Sequence, residues 1–156
     1  MDPGTTITGY GLIQGDQVID FGCIRPPAKQ KLSDRYLIIH DGIEALIQKY
    51  RPSCVVVETQ FVHKNVQSAI KLGMARGVII IAAKRHGLPV FEYAPAQAKR
   101  AVTGFGHASK YQVQGMVQQI LRLATPPTPE DAADALALAL CHVHAMHRQQ
   151  LLGEEI

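Results

Sequence analysis

The chain has 156 residues, 47% of them apolar and 19% charged, which suits one folded domain with a sizeable core and excludes a disordered chain. A net charge of +3 and a pI near 8.8 lean towards a polyanionic partner without identifying one. Cys23, Cys54 and Cys141 are odd in number and far apart, so reduced thiols in a cytoplasmic protein are expected; no signal peptide is visible, and no apolar run approaches the roughly 18 residues of a membrane span.

No repeat, linker or low-complexity tract divides the chain. Thr8–Gln14 and Val18–Arg25 read as strands joined by a Gly15-Asp16 turn. Pro26-Pro27 ends the hairpin. Ser33 is a candidate N-cap for a helix running to about Tyr50, with Leu37, Ile39, Ile43, Leu46 and Ile47 as its apolar face. Pro52 stops it. Residues 53–58 form a β-branched apolar run that suits a strand buried on both faces. A helix is predicted over 65–86, ended by Gly87, and a strand over 89–93. Helices follow over 95–102 and 109–123. The last helix, through Ala145, is read as capped by Thr128 with Pro129 in its first position. A hairpin feeding βα units predicts a mixed sheet covered by helices.

Four carboxylates lie at the edges of these elements: Asp2, Glu58, and the pair Asp131 and Asp134. Asp131 and Asp134 are three apart and share a helix face. If the segments converge, like charges crowd together unless protons or divalent cations neutralise them. Two Mg²⁺ ions roughly 4 Å apart would serve phosphodiester hydrolysis. Plainer readings stand beside this one. Asp131 is favoured at a helix start by the dipole, and Asp2 suits a turn before Pro3-Gly4. Glu58 resists such a reading, because a carboxylate directly after a buried valine run is costly unless exposed or paired.

Two other patterns compete. Cys141, His142, His144 and His147 suggest a soft-metal cluster, but no second ligand group completes it. Gly104-Phe105-Gly106 before Lys110 faintly suggests a phosphate loop, yet lacks the Gly-Lys-Ser/Thr ending.

The ordered set of segments closely resembles the RuvC Holliday-junction resolvases. The residues that carry it are Asp2-Pro3-Gly4-Thr5 with Thr8-Gly9-Tyr10-Gly11, Gly22-Cys23-Ile24-Arg25, and Glu58 with Phe61 and Lys64-Asn65. They continue through Ala69-Ile70-Lys71-Leu72-Gly73, Ala75-Arg76-Gly77, and Val90-Phe91-Glu92-Tyr93-Ala94. Gln97, Lys99, Lys110, Gln112-Val113-Gln114 and Asp131-Ala132-Ala133-Asp134-Ala135-Leu136 complete it. The resemblance implies a single ribonuclease H-like nuclease domain over 1–156, an α/β fold with a mixed five-stranded sheet and helices on both faces. It implies an Mg²⁺-dependent endonuclease that resolves four-way junctions by symmetric nicking of two like-polarity strands. Asp2, Glu58, Asp131 and Asp134 would be catalytic and would bind two Mg²⁺ per subunit, with Mn²⁺ able to substitute. Phe61 would stack on opened bases, and Lys99, Lys110 and Arg76 would contact DNA. Core packing for Phe61 and ordinary surface positions for the lysines are the bland alternatives. A homodimer is implied, with RuvA and RuvB as partners. The small residues Ala69, Gly73, Ala75 and Gly77 would permit close helix approach.

One departure accompanies the resemblance. The family places a short apolar strand before its first aspartate, and only Met1 precedes Asp2 here. The expectation is a truncated first strand, a weakened sheet and a loosely placed Asp2. Two alternatives follow: a catalytically impaired junction-binding module, which would bind junctions without cutting them, or another ribonuclease H-like enzyme, which would prefer RNA duplexes or ATP.

Overall fold

A computed structural model describes residues 1–59, 65–147 and 154–156. Strands β1 (Thr8–Gln14) and β2 (Gln17–Ile24) pair antiparallel from Thr8 opposite Ile24 to Gln14 opposite Gln17. Gly15, at φ 58°, makes the tight turn that an L side chain would strain. Helix α1 (Leu32–Tyr50) follows and buries Tyr36, Ile39, Ile43 and Ile47 at four- and three-residue spacing. Ser33 is not its cap. It lies in the first turn, and Lys31 takes the cap position without a side-chain hydrogen bond.

β3 (Val55–Glu58) runs parallel to β4 (Val90–Tyr93), with Glu58 opposite Tyr93. Between them lies α2 (Val66–Arg85), whose Asn65 cap accepts the Ser68 N–H at 3.1 Å. Helices α3 (Pro95–Thr103), α4 (Lys110–Ile120) and α5 (Glu130–His147) complete the helical set. α5 starts one residue later than the Thr128 cap implies. The Pro129 carbonyl accepts from Ala132 and Ala133 and so takes the capping role. A two-residue strand, β5 (Glu154–Glu155), pairs antiparallel with β4. Nothing in its sequence marks it: its pairing with β4 is through backbone groups, with Glu155 also 3.8 Å from the Lys84 ammonium.

Alternation along β3 decides which layer each side chain serves. Val55 and Val57 join the core built by α1 and α2, while Val56 packs with Tyr93, Ala98, Leu138 and Cys141 beneath α3 and α5. The strand is thus buried on both faces, as its valine run requires. Glu58 shares parity with Val56 and is directed to the α5 side.

The five strands form two ladders rather than one sheet, β1-β2 and β3-β4-β5. Among the described residues, Met1 and Asp2 join them. Asp2 exchanges two backbone hydrogen bonds of 3.0 Å with Gly9, and the Met1 amino group donates to the Val56 carbonyl at 2.7 Å. Pro3, which has no N–H, comes next. A cavity of about 600 Å³ lies between β1, α1, the start of β3 and the last turns of α5. Asp2 is not loosely placed: Gly9 holds its backbone, and the adjoining Met1 amino group is held by Val56.

α2 departs from the expectation of no span-like segment. By length and composition alone it could cross a membrane, with mean hydropathy 1.4 over its best window. One face, with Ala75, Ile79, Ala82 and Ala83, packs into the core. Val66, Ile70, Met74 and Ile81 are more than half exposed on another.

Candidate active site

The site begins with a loop that folds onto itself. The buried Thr8 hydroxyl donates to the Gly4 carbonyl at 2.8 Å and lies 3.4 Å from the Gly4 N–H, which donates back. Arg35 reaches from α1 to the Thr5 carbonyl and the Thr6 hydroxyl. A Cβ at Gly4 would collide with the Ile7 carbonyl. These contacts, with the Asp2–Gly9 pair, set where the Asp2 carboxylate stands.

Glycines also seat α5. A Cβ at Gly9 would strike the Asp131 carbonyl, and one at Gly11 would lie 2.7 Å from the Leu136 side chain and 2.9 Å from its backbone nitrogen. Glycine at both positions lets the first turns of α5 lie directly on β1. That close approach brings Asp131 and Asp134 to Asp2, while the end of β3 brings Glu58 from the same side.

The charges respond to this convergence. Burial, then Glu58 and Asp134, push the Asp2 carboxyl up to about 7, against the pull of the Met1 amino group and with a further push from Asp131. Burial, then Asp134, raise Glu58, although the Met1 amino group, Lys99 and Lys110 pull it down. Burial also raises Asp134, with Lys110 and Lys99 opposing and Asp131 and Glu130 adding to the rise. The Met1 amino group is pushed down by burial to about 6 despite Asp2 and Glu58. Asp2, Glu58, Asp134 and the Met1 amino group resist their charged forms, as expected of partly dry, crowded charge.

Lys110 is the cation in closest reach. Its Nζ lies 3.3 Å from Glu130 and 3.8 Å from Asp134. Burial works to lower its pKa, but Asp134, Glu130 and Asp131 outweigh that and raise it. Glu130 was not singled out from the sequence. Its signal was its position immediately before Asp131, on the turn that faces Lys110.

Among the described residues, no three Asp, Glu, His or Cys side chains stand close enough to cage one ion. The donor set nevertheless fits a hard divalent cation. It is all oxygen, and it carries more negative charge than its lysines neutralise. Mg²⁺ keeps several waters and binds through one or two carboxylates, so a closed protein cage is not needed.

The remaining expectations resolve individually. Arg76 does not stand free: it forms an ion pair with Glu92 across α2 and β4, both side chains about one-fifth exposed. The pairing follows from β4 alternation, which turns Glu92 to the α2 face. Phe61 and Lys64 lie outside the described residues. Of the soft-metal pattern on α5, Cys141 and His142 are buried in the core, while His144 is half-buried and His147 exposed. His142 accepts or donates at 2.9 Å to the Tyr93 hydroxyl and packs against the Phe91 ring at 4.6 Å between centroids. Burial lowers its pKa and pushes the Cys141 thiol up to about 11. Gly104 closes α3 in the left-handed conformation, φ 82°, making its loop a helix–helix turn.

The sequence model described as "Crossover junction endodeoxyribonuclease RuvC" matches residues 1–142. The chain belongs to the RuvC family. A RuvC of Protochlamydia amoebophila is 66% identical over 146 residues, covering 91% of this chain and 87% of the relative. One from Chlamydia caviae is 49% identical over 151 residues, covering 92% and 90%. The solved structure of T. thermophilus RuvC in complex with Holliday junction substrate superposes with TM-score 0.90 at 33% identity, covering 99% of this chain and 96% of that one. The Thermus thermophilus RuvC structure gives TM-score 0.87 at 33% identity, with the same coverage. The RuvC family is one of metal-dependent nucleases, and this chain is a crossover junction endodeoxyribonuclease with the ribonuclease H-like fold. Its function is Holliday-junction resolution.

Proposed function

We propose that Asp2, Glu58, Asp131 and Asp134 form the catalytic centre and hold Mg²⁺, two ions per subunit, with Mn²⁺ able to substitute. The observation that carries this reading is the mutual charge repulsion of carboxylates delivered by three separate segments. The cations would supply charge neutralisation on the phosphate and an activated water. The chain's own residues supply the rest. Asp2 is held by its two backbone bonds to Gly9, next to a Met1 amino group bonded to the Val56 carbonyl. Asp131 and Asp134 are presented on a helix seated by Gly9 and Gly11. Lys110, 3.8 Å from Asp134, would contact the scissile phosphate, with Lys99 beside it.

The proposed substrate is a four-way DNA junction, the substrate named for the T. thermophilus relative. Phe61 stacks on opened bases. Arg76, already paired with Glu92, acts by fixing α2 to β4 more than as a free phosphate ligand. The proposed working form is a homodimer. Support comes from the exposed stripe Val66, Ile70, Met74 and Ile81, and from Gly73 and Gly77, where an added Cβ would meet nothing within 4 Å. Two copies about a two-fold axis suit symmetric nicking of two like-polarity strands. RuvA and RuvB are the proposed partners, in the cytoplasm.

The test is cleavage of a synthetic four-way junction in Mg²⁺, beside linear duplex, by the wild type and Glu58→Gln. Paired nicks confined to the junction and lost in the variant are expected. Equal cutting of linear duplex, or full activity in the variant, would contradict the assignment.

A further inference from the structure

Two aromatic rings beside Lys110 are unused by this account. Tyr111 is 85% exposed and Phe105 74%, the most exposed large apolar side chains among the described residues. Isolated exposed apolar residues are common and need no explanation. These two differ in their support and their surroundings.

Phe105 projects from an ordered turn. Thr103 Oγ1 lies 2.7 Å from the Lys99 carbonyl and accepts the Phe105 N–H at 3.1 Å. The Ala108 N–H closes back onto the Phe105 carbonyl at 3.3 Å, and the Ala108 side chain is buried. Tyr111 stands in the first turn of α4, where Ser109 and Gln112 cap each other reciprocally at 3.2 and 2.9 Å. Both rings are therefore held out by fixed backbone.

Their surroundings are basic and lie at the catalytic edge. Lys110 adjoins Tyr111 and reaches Asp134. The Arg100 guanidinium lies 3.6 Å from where a Cβ on Gly106 would sit. Lys99 acts on both Glu58 and Asp134. Rigid exposed rings interleaved with cations are the composition that binds single-stranded nucleic acid, each ring taking the face of a base.

We infer that Phe105 and Tyr111 form a stacking platform for unpaired bases at the crossover, on the α3–α4 side of the carboxylates. The inference rests on the junction-binding reading above and adds a second aromatic contact apart from Phe61. It assigns the strand leaving the catalytic centre along α4 to these rings.

The test measures affinity in EDTA, where cutting is suppressed, for a four-way junction carrying 2-aminopurine at the crossover and for linear duplex. The proteins are the wild type, the double variant F105A/Y111A, and the ring-preserving double variant F105Y/Y111F. Loss of the rings should weaken junction binding by about 5- to 150-fold for each base unstacked. It should also raise 2-aminopurine fluorescence and leave duplex affinity within about twofold, since backbone contacts carry that binding. F105Y/Y111F should behave as wild type. Because both side chains face solvent, the changes leave the core intact, and an unchanged melting temperature checks this. Junction affinity of F105A/Y111A within twofold of wild type would overturn the platform alone. A wild type that binds junction and duplex equally would overturn the junction-binding reading and the platform with it.

Discussion

The two ends of α5 carry polar residues under opposite rules. Near its start, Asp131 and Asp134 meet Asp2 and Glu58, and burial and like charge leave three of these carboxyls resisting ionisation. Near its finish, His142 is 5% exposed but satisfied by Tyr93 and Phe91, and Cys141 is sealed in the same core. One end stores unfavourable electrostatics, and the other removes its polar groups from chemistry. A helix that only had to pack would show the second arrangement throughout. The conflict at the first end is the mark of a site completed by cations.

The sharpest way to break this comparison is to remove charge where it conflicts. Glu58→Gln and Asp134→Asn should each lower junction cleavage on the order of a hundredfold or more, read as single-turnover rates. Both should fold, since they relieve repulsion. Retained cleavage would mean that the crowded end is not the reactive one.

The next effect is geometric. Gly9→Ala puts a methyl group against the Asp131 carbonyl, so α5 must lift from β1. Denaturant melting should show a loss of about 1–3 kcal/mol, as for overpacked sites, accompanied by loss of cleavage. Unchanged stability would show that α5 is not seated as described.

A pH experiment sharpens the electrostatic half. An unfolded Asp2 loses its proton near 3.8 and the folded one near 7. Between those values the folded state holds the extra proton, so metal-free stability falls as pH rises, with the deficit complete above about 7. The Met1 amino group runs the other way. Its penalty is complete below about 6 and fades towards pH 8. Asp2→Asn isolates the first effect. In EDTA it should melt several degrees above wild type at pH 8, and the gap should close towards pH 4. A gap independent of pH would contradict the buried, repelled carboxylate.

The smallest change belongs to the quiet end. Tyr93→Phe removes the hydroxyl partner of His142 and should cost about 1 kcal/mol, with junction cleavage within twofold of wild type. A large loss of cleavage would erase the contrast between the two ends.

Much of this was legible in the chain itself. The Gly15-Asp16 turn between two strands, the apolar face of α1 and the valine run before Glu58 each name their element, because turns and burial impose patterns that residues must follow. The four carboxylates were visible as acids at element edges. What stayed hidden depended on partners distant in sequence. Arg76 reads as a free cation until β4 register turns Glu92 towards it. Ser33 reads as a cap because its chemistry suits one, but the helix begins a residue before it. β5 is two glutamates joined to β4 through backbone groups, which no side-chain pattern announces. The backbone pairing of Asp2 with Gly9, and of the Met1 amino group with the Val56 carbonyl, likewise joins residues that no local pattern connects.

The most direct test of the central claim is the melting temperature of the wild type as Mg²⁺ is titrated, at pH 8 and again at pH 5. At pH 8 the carboxylates are ionised and repelling, so Mg²⁺ should raise the melting temperature in a saturable way, and Asp134→Asn should blunt the rise. At pH 5 Asp2 is largely protonated and the rise should shrink. A Mg²⁺ response equal at both pH values, or unaltered by Asp134→Asn, would contradict a cation site built from these carboxylates.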